Sequence, residues 1–389
     1  MSASLIRDWA ASTPEMLAVF GDEALVGAAL AFETALARAL AAEGLLSEAA
    51  ADVIAEACAM PLADAATLAR EAAHAGTLAI PLVRRIRARV AASHPEFADA
   101  VHRGATSQDV ADTALMMMSR EAGELVDADL RRLRSALAGL TRRHVATPML
   151  GRTLLQGAMP ITFGLKTAGW MLGVEEARAR FARELEEALR LQLGGAAGTL
   201  AGLCGRGTAI SKRMGAALGL APAITPWHSR RDAVAGLGCA LALVTCAVGK
   251  IARDISLLSQ GEVGEVREPR VDGRGGSSAM AHKRNPTGCQ VALSAAIRAP
   301  GLAATLLSAM PQEHERGLGG WQAEGPVIVD LFELAHGAIG AMAPVVEGLE
   351  VSVAAMARNL AKAGVGSDTG ESEGLARRAL AAIAAAEAA

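Results

Sequence analysis

The residues best suited to chemistry form a glycine-rich segment, which reads GGSSAMAHKRNP over residues 275–286. Ser277 and Ser278 follow two glycines, so their hydroxyls can move toward a bound molecule. Lys283 and Asn285 supply a cation and an amide donor a few residues later. Together such groups stabilise negative charge that develops on a substrate oxygen. On composition alone, a solvated surface loop explains the segment equally well.

A second segment, HRGATSQDVADT over residues 102–113, combines a helix start with polar side chains. Thr106 is a suitable N-cap, and Asp109 stands at the third helical position, which is the pattern of a capping box. That structural role alone explains both residue types. The free N–H groups of such a helix start, with Arg103 beside them, also favour a carboxylate. We therefore predict a helix that begins here and an anion site next to it.

Three further segments contain polar side chains without a clear period: residues 151–160, 226–232 and 312–324. Without other information, the first is interpreted as an ordinary connection between helices. The candidate site residues of these segments are Arg152, Thr153, Gln156, His228, Arg231 and His314. A lone histidine is more often a structural hydrogen-bonding residue than an acid or base. His228 and His314 are therefore candidates of second rank.

Together these five segments resemble the fumarase/aspartase superfamily. Residues 275–286 match its G-S-S-x-M-P-x-K-x-N-P signature except at Ala281, where proline is usual. Residues 106–113 resemble its T-S-x-D-x-x-D-T region. Residues 151–156 are similar to its G-R-T-H-x-Q segment, but Leu154 stands where that segment has a histidine. A bulky apolar residue there, with the sequences PWHSRRD and QEHERGLGGWQAE, is typical of the cycloisomerase branch of the superfamily.

The resemblance implies a role for each candidate residue. Ser277 is the implied acid/base group, while Lys283 and Asn285 stabilise an enediolate-like anion. His102 and His282 are the alternative proton donors. The residues implied to contact substrate are Thr106, Ser107, Gln108, Arg152, Thr153, Gln156, His228, Arg231, Ser278, Met280 and His314. The implied substrate is a small tricarboxylate, one carboxylate of which adds to a carbon of its own diene.

The composition predicts the elements that must position these residues. Aromatic residues make up 3% of the chain and tyrosine is absent, which favours helix over sheet, so we predict an all-α fold. The net charge is −3, with 38 basic and 41 acidic residues interleaved, which disfavours nucleic acid as a partner. Five cysteines without a C-x-x-C pair predict neither disulfides nor a zinc site. No metal and no cofactor are expected, because no nucleotide-binding loop follows a strand.

Apolar residues at helical spacing predict several long helices. One helix is predicted over Leu25 to Leu40, with Gly44 positioned to end it. Residues 108–143 contain no proline and predict a helix of roughly 50 Å. Two more are predicted, from Pro160 to about Gly194 and over residues 237–258. The resemblance implies that the long helices of four identical chains pack into one central bundle, a homotetramer with shared sites.

Three regions are predicted along the chain. They are an N-terminal helical domain (residues 1–107), a central long-helix bundle (108–350) and a short C-terminal helical remnant (351–389). The bundle includes a signature loop at residues 261–288, and loops of this length inside helical proteins are often functional. The resemblance extends from Ser12 to about Leu360. No secretory signal is evident at the N-terminus, so we expect a cytoplasmic location.

Three other interpretations remain open. An elimination that releases fumarate, as in adenylosuccinate lyase, is disfavoured by Leu154. A catalytically silent helical scaffold is allowed by the departure at Ala281. A membrane or partner-binding bundle rests on the uncharged stretch 233–249, but its apolar stripe continues past Lys250. A helix buried among other helices explains that stripe better, so we expect no membrane partner.

Overall fold

The computed structural model describes residues 11–60, 63–280 and 283–388, and these are mainly helical. The N-terminal helices are α1 (Pro14–Val19), α2 (Asp22–Ala42), α3 (Glu48–Ala59), α4 (Ala65–Ala75) and α5 (Ala79–Ser93), followed by a 3-10 turn at Pro95–Ala100. Helix α2 covers the first predicted helix, and Gly44 follows its end with a φ of 71°. Glycine adopts this left-handed conformation at no steric cost, so the predicted stop is confirmed.

In the described part of the chain, five long helices form the body of the molecule: α6 (Ser107–Arg143), α7 (Phe163–Ala188), α9 (Asp232–Leu258), α10 (Thr287–Ala309) and α11 (Gly320–Glu347). The shorter helices of this part are α8 (Gly207–Leu218), α12 (Val353–Ala363) and α13 (Ser372–Ala388). Helix α6 has 37 residues and is therefore about 55 Å long. Its residues Leu130, Leu133 and Leu137 are buried, as their spacing predicts. The predicted helices over 108–143 and 237–258 are confirmed, whereas the division into three domains stays a prediction.

The expectation that a helix begins at Pro160 is wrong. An antiparallel hairpin occupies this region, formed by β1 (Pro148–Thr153) and β2 (Gln156–Thr162), and α7 begins after it. Leu154 and Leu155 form the turn, with φ values of 51° and 65°. Leucine rarely adopts this left-handed backbone conformation, which is commonest for glycine and asparagine. Local propensity therefore gives no signal for the turn.

The hairpin presents an apolar tip. Leu154 is 97% exposed, Leu155 is 76% exposed and Met159 is 63% exposed. The register of the hairpin shifts at Gly151, where a Cβ atom would lie 2.8 Å from the carbonyl oxygen of Met159. Only glycine fits this close approach, so Gly151 fixes the shape of the hairpin.

Three short elements connect the helices. Strand β3 (Arg190–Leu191) pairs in parallel with β4 (Ala221–Pro222), and a 3-10 turn lies at Ala201–Leu203. Strand β5 (Val266–Arg267) pairs with β6 (Glu350–Val351) in antiparallel fashion. This last pair attaches the beginning of the signature loop to the chain that follows α11. The loop ends where α10 begins, slightly earlier than predicted.

The long helices separate two ends of the bundle, which we call the start end and the loop end. At the start end, Ser107 of α6 and Gln322 of α11 line one cavity. At the loop end, Arg274 donates a hydrogen bond of 3.3 Å to the carbonyl oxygen of Ala341, near the end of α11. Gln322 and Ala341 are roughly 28 Å apart along the helix axis. The motifs of one chain are therefore divided between two distant places.

The helices differ in how much of their apolar surface the chain itself covers. Helices α2, α9, α10 and α11 are long and apolar enough to cross a membrane by length and composition. In α9, 67% of the most apolar window is buried inside the described part of the chain, as expected for a helix packed among helices. In α10 the buried share is only 28%. Ile297 and Leu307 are among the exposed apolar residues of α10.

Candidate active site

The start of α6 carries the predicted capping box. Thr106 is the N-cap, and the Asp109 carboxylate accepts a hydrogen bond of 2.9 Å from the backbone N–H of Thr106. Ser107 is the first residue of the helix and lies at the edge of the cavity. The N–H groups of this first turn point toward the N-terminal side, where they favour an anion. The predicted helix start and capping box are confirmed, and the anion site stays a prediction.

Asp109 also joins three separate segments. One of its oxygens accepts hydrogen bonds from His228 Nε2 at 2.7 Å and from the Gly194 N–H at 3.0 Å. The other oxygen accepts a bond of 3.0 Å from the Gly195 N–H. Asp109 is fully buried, and His228 is 2% exposed. The carboxylate therefore holds the glycine-rich stretch and the segment before α9 against the start of α6.

A second buried network surrounds Arg231. Its guanidinium donates two bonds of 2.9 Å to Asp112 and a bond of 2.8 Å to Glu324, and it lies 4.7 Å from the ring centroid of Trp227. Burial alone would lower the pKa of Arg231, but the two carboxylates outweigh burial and raise it. Burial raises the pKa of Glu324 even though Arg231 opposes this shift. Arg231 thus stays charged as a link between α6, α9 and α11.

The side chain of Gln108 also has hydrogen-bond partners within the chain. Its side chain is fully buried and donates a hydrogen bond of 2.8 Å to the carbonyl oxygen of His228. Arg316 donates to the Gln108 oxygen at 3.4 Å and to the Thr106 hydroxyl at 2.7 Å. Arg316 was not identified in the sequence, because its position beside Thr106 depends on a contact across 210 residues. It adds a cation to the start end.

Arg152 of the hairpin also has a partner within the chain. Arg152 forms two hydrogen bonds, of 2.9 and 2.7 Å, with the buried carboxylate of Glu265. Asn359 of α12 donates to the same carboxylate at 2.8 Å. Arg152 therefore attaches the hairpin to the signature loop and to α12.

Four of the predicted substrate-contacting residues have partners within the chain: Gln108, Arg152, His228 and Arg231. These hydrogen bonds fix the positions of the four side chains. Their contacts with substrate stay predictions. At the start end, Ser107 lines the cavity, and Arg316 donates to the Thr106 hydroxyl beside it.

His102 lies just before this helix start. Its Nδ1 is 2.6 Å from a carboxylate oxygen of Glu33, which belongs to α2. The side chain of Glu33 is 1% exposed and that of His102 is 14% exposed. Burial lowers the pKa of His102, but the hydrogen bond and charge of Glu33 outweigh it and raise the pKa above its ordinary value. The structure therefore favours a protonated His102.

The cavity at the start end has a volume of about 870 Å³. Helices α2, α6 and α11 form most of its walls, which are largely apolar. Its polar lining includes Ser107, Arg298, Gln322 and four carboxylates, those of Asp22, Asp112, Asp330 and Glu333. Small-molecule sites commonly have a volume of this size.

The signature loop lies at the loop end. The Ser277 hydroxyl oxygen accepts hydrogen bonds from the N–H groups of Ala279 and Met280, at 3.3 and 3.1 Å. Asn285 donates a side-chain bond of 3.2 Å to the carbonyl oxygen of Gly276. Lys283 is exposed. The Ser277 hydroxyl and the Asn285 amide are therefore both held by backbone groups of the loop itself.

The other predicted residues are placed as follows. Ser278 and Met280 are exposed on the loop, and His314 is exposed in the segment before α11, where its φ is 48°. Thr153 and Gln156 are exposed on the hairpin. His282 lies outside the described residues. Among the described residues, no group of three or more His, Cys, Asp and Glu side chains is arranged to hold a metal ion.

The comparison with known families defines the class of protein. Residues 9–301 match the family model described as Lyase. The chain therefore belongs to this lyase family, as its resemblance to the fumarase/aspartase superfamily implies.

Several relatives are named more specifically. The chain is 46% identical to a 3-carboxy-cis,cis-muconate cycloisomerase of Bradyrhizobium diazoefficiens, over 90% of this chain and 77% of the relative. It is 45% identical to a nitrosuccinate lyase of Streptomyces davaonensis, over 92% of this chain and 77% of that protein. A crystal structure of 3-carboxy-cis,cis-muconate lactonizing enzyme from Pseudomonas putida has a TM-score of 0.86 at 41% identity, covering 92% of this chain and 79% of that one. The fold is therefore that of the fumarase/aspartase type.

Proposed function

We propose that this chain is a 3-carboxy-cis,cis-muconate cycloisomerase that forms 4-carboxymuconolactone, a step of the protocatechuate branch of the β-ketoadipate pathway. Three relatives of this name, 43–46% identical over most of the chain, carry the proposal. The residues of the start end and of the signature loop support it, because both offer groups suited to carboxylates. A cytoplasmic location belongs to the same proposal.

The chemistry requires stabilisation of an anion. A carboxylate oxygen of the substrate bonds to a carbon of the diene, and the electron pair moves toward the carbon beside another carboxylate. This generates an enediolate-like species, which a proton on that carbon then converts to the lactone. Lys283 and Asn285 stabilise the extra charge as a cation and a donor. Ser277 or a histidine supplies the proton.

The start end holds the substrate carboxylates. Ser107, the Thr106 hydroxyl and the first-turn N–H groups of α6 offer donors, and Arg316 adds a positive charge. Thr153 and Gln156 are exposed donors on the hairpin. The apolar Leu154 stands where the superfamily has a histidine, which removes the histidine-assisted route of the fumarate-releasing lyases.

We propose a homotetramer in which different chains complete each site. Within one chain, the loop end is roughly 28 Å from the start end along α11, so Lys283 cannot reach a ligand beside Ser107. The exposed apolar surface of α10 and the apolar hairpin tip favour covering by other copies of the chain. A neighbouring chain would then bring its loop end to the start end of the first.

One second candidate has a specific observation in its favour. The relative named nitrosuccinate lyase is about as similar to this chain as the cycloisomerases are. Elimination of nitrite from a position next to a carboxylate passes through the same kind of anion, so the same residues serve both reactions. The substrate alone distinguishes them.

An assay with purified protein tests the proposal. The protein is supplied with 3-carboxy-cis,cis-muconate, and the loss of diene absorbance is followed. Parallel reactions contain nitrosuccinate, with nitrite measured, and adenylosuccinate, with fumarate measured. Turnover of the muconate at least about 100-fold above the other two supports the proposal, since this is roughly the discrimination that a few site contacts provide. Preference for another substrate, or an assembled protein inactive on all three, contradicts it.

A further inference from the structure

We infer that Glu33 is a positioning residue, which holds His102 so that its free ring nitrogen donates the proton to the substrate carbon. The inference rests on the proposed function and deepens it. It assigns the proton to the histidine at the start end instead of the serine in the signature loop.

The geometry of the pair is the first observation. Glu33 and His102 are 69 residues apart in sequence, yet their oxygen and Nδ1 are separated by 2.6 Å. His102 has a φ of 63°, a left-handed conformation that few residues other than glycine adopt. Arg87 donates to the carbonyl oxygen of Val101 at 3.1 Å, and Arg103 donates to that of Leu45 at 2.7 Å. The backbone on both sides of the histidine is therefore anchored.

The two ring nitrogens of His102 have different surroundings. Nδ1 is occupied by the Glu33 carboxylate. Nε2 has no hydrogen-bond partner among the described residues, and it is not among the buried polar atoms that lack one. The His102 side chain is 14% exposed, so Nε2 is the ring nitrogen that remains available to a ligand. A carboxylate that holds one nitrogen while the other is free is the arrangement of an oriented acid or base.

Glu33 has a feature that a purely structural role leaves unexplained. Its second carboxylate oxygen is buried without a partner among the described residues. Leaving a buried acceptor unpaired is unfavourable, so a core position would ordinarily hold an apolar side chain. The retained charge is explained if it stabilises an imidazolium. The charged groups that face His102 are Glu33 from α2, Asp109 from α6 and Arg87 from α5.

The proton transfer balances as follows. A substrate carboxylate oxygen forms the C–O bond of the lactone, and the π electron pair moves to the neighbouring carbon. The Nε2–H bond of His102 breaks as its proton bonds to that carbon. His102 becomes neutral while still bonded to Glu33, and it regains a proton from solvent before the next cycle.

Three variants test the inference: Glu33→Gln, His102→Gln and the double variant. Glutamine at position 33 keeps an oxygen that accepts the Nδ1–H bond but removes the charge. We expect kcat to fall about 10- to 100-fold with KM within about twofold, within the range for acid catalysis. The alkaline limb of the pH–rate profile should move to lower pH in Glu33→Gln. Without the neighbouring negative charge, His102 loses its proton at a lower pH. Glu23→Gln, an exposed change on the same helix, is the matched control and should behave as the unmodified enzyme.

The double variant separates positioning from general stability. If Glu33 acts through His102, then Glu33→Gln should cause no further loss of kcat in the His102→Gln protein. Losses that multiply, or a Glu33→Gln enzyme with unchanged kcat and pH profile, would overturn the inference.

A readout without turnover keeps this test independent of the proposed function. The titration of His102 is followed by NMR of the labelled imidazole in the unmodified and Glu33→Gln proteins. A lower midpoint in the variant supports control of His102 by Glu33, and an unchanged midpoint overturns it. If the unmodified protein does not convert 3-carboxy-cis,cis-muconate, the proposed function fails, while this titration still decides whether the pair exists.

Discussion

Asp109 Oδ1 and His228 Nε2 lie 2.7 Å apart, and neither side chain has more than 2% of its surface exposed. The two residues are 119 positions apart in the sequence. Their contact fixes the segment before α9 against the start of α6, beside the candidate site. The start end is therefore a preformed structure whose geometry depends on buried charges.

In the unmodified protein, the buried Asp109 carboxylate accepts hydrogen bonds from four N–H groups. The single oxygen of an asparagine amide cannot accept all four, so Asp109→Asn should destabilise the protein by roughly 3 kcal/mol. Urea unfolding followed by circular dichroism measures the change. Asp99→Asn, on the exposed 3-10 turn, should leave the unfolding midpoint unaltered. Equal unfolding midpoints for the two variants would contradict the predicted contribution of Asp109 to stability.

Replacing Arg231 by methionine should cost about 3–5 kcal/mol, since Asp112 and Glu324 are then left buried without their cation. The adjacent Arg230 is 58% exposed, so Arg230→Met is a matched control with little expected effect. Thermal unfolding of both proteins provides the comparison. A similar loss of thermal stability in the two variants would contradict a stabilising role of the buried network around Arg231.

Co-expression of two inactive variants should restore activity if different chains complete each site. Lys283→Met alters the loop end and His102→Gln alters the start end, and each alone should lose about 100-fold or more in turnover. In random mixed tetramers, about a quarter of the sites combine an intact loop end with an intact start end. Turnover per protein should rise accordingly. Activity no higher than in separately expressed variants would place the whole site in one chain.

The contact between Glu33 and His102 should make stability depend on pH. Because the pKa of His102 is raised in the folded protein, its stabilising contribution is complete below the ordinary value of 6.5 and disappears as pH rises through the raised pKa. The difference in unfolding free energy between the unmodified protein and His102→Gln should therefore shrink between weakly acidic and alkaline pH. Urea titrations at several pH values test this. A difference that grows with pH would reverse the assigned sign.

The long helices could be predicted from the sequence because their signals are local. The capping residues at the start of α6 and the apolar stripe of α9 depend on spacings of three and four residues. The hairpin could not be predicted, because its turn uses Leu154 and Leu155 where glycine or asparagine is usual.

The candidate site was predicted as a set of motifs but not as an arrangement. Motif spacing identifies Ser107 and the signature loop. It does not indicate which polar residues form hydrogen bonds or ion pairs with residues far along the chain. The partners of Gln108 and Arg231, and the positions of Arg316 and Glu33, depend on contacts of this kind. Only the folded chain brings these residues together.

The turn at Leu154 and Leu155 has a consequence for the life of the newly made chain. In the homotetramer proposed above, other copies cover these two leucines, whereas a protomer that has not yet assembled exposes them to water. Exposed apolar patches promote aggregation, so such a protomer is expected to bind chaperones or to aggregate until it meets other copies. The yield of this protein should therefore depend on how fast it is synthesised.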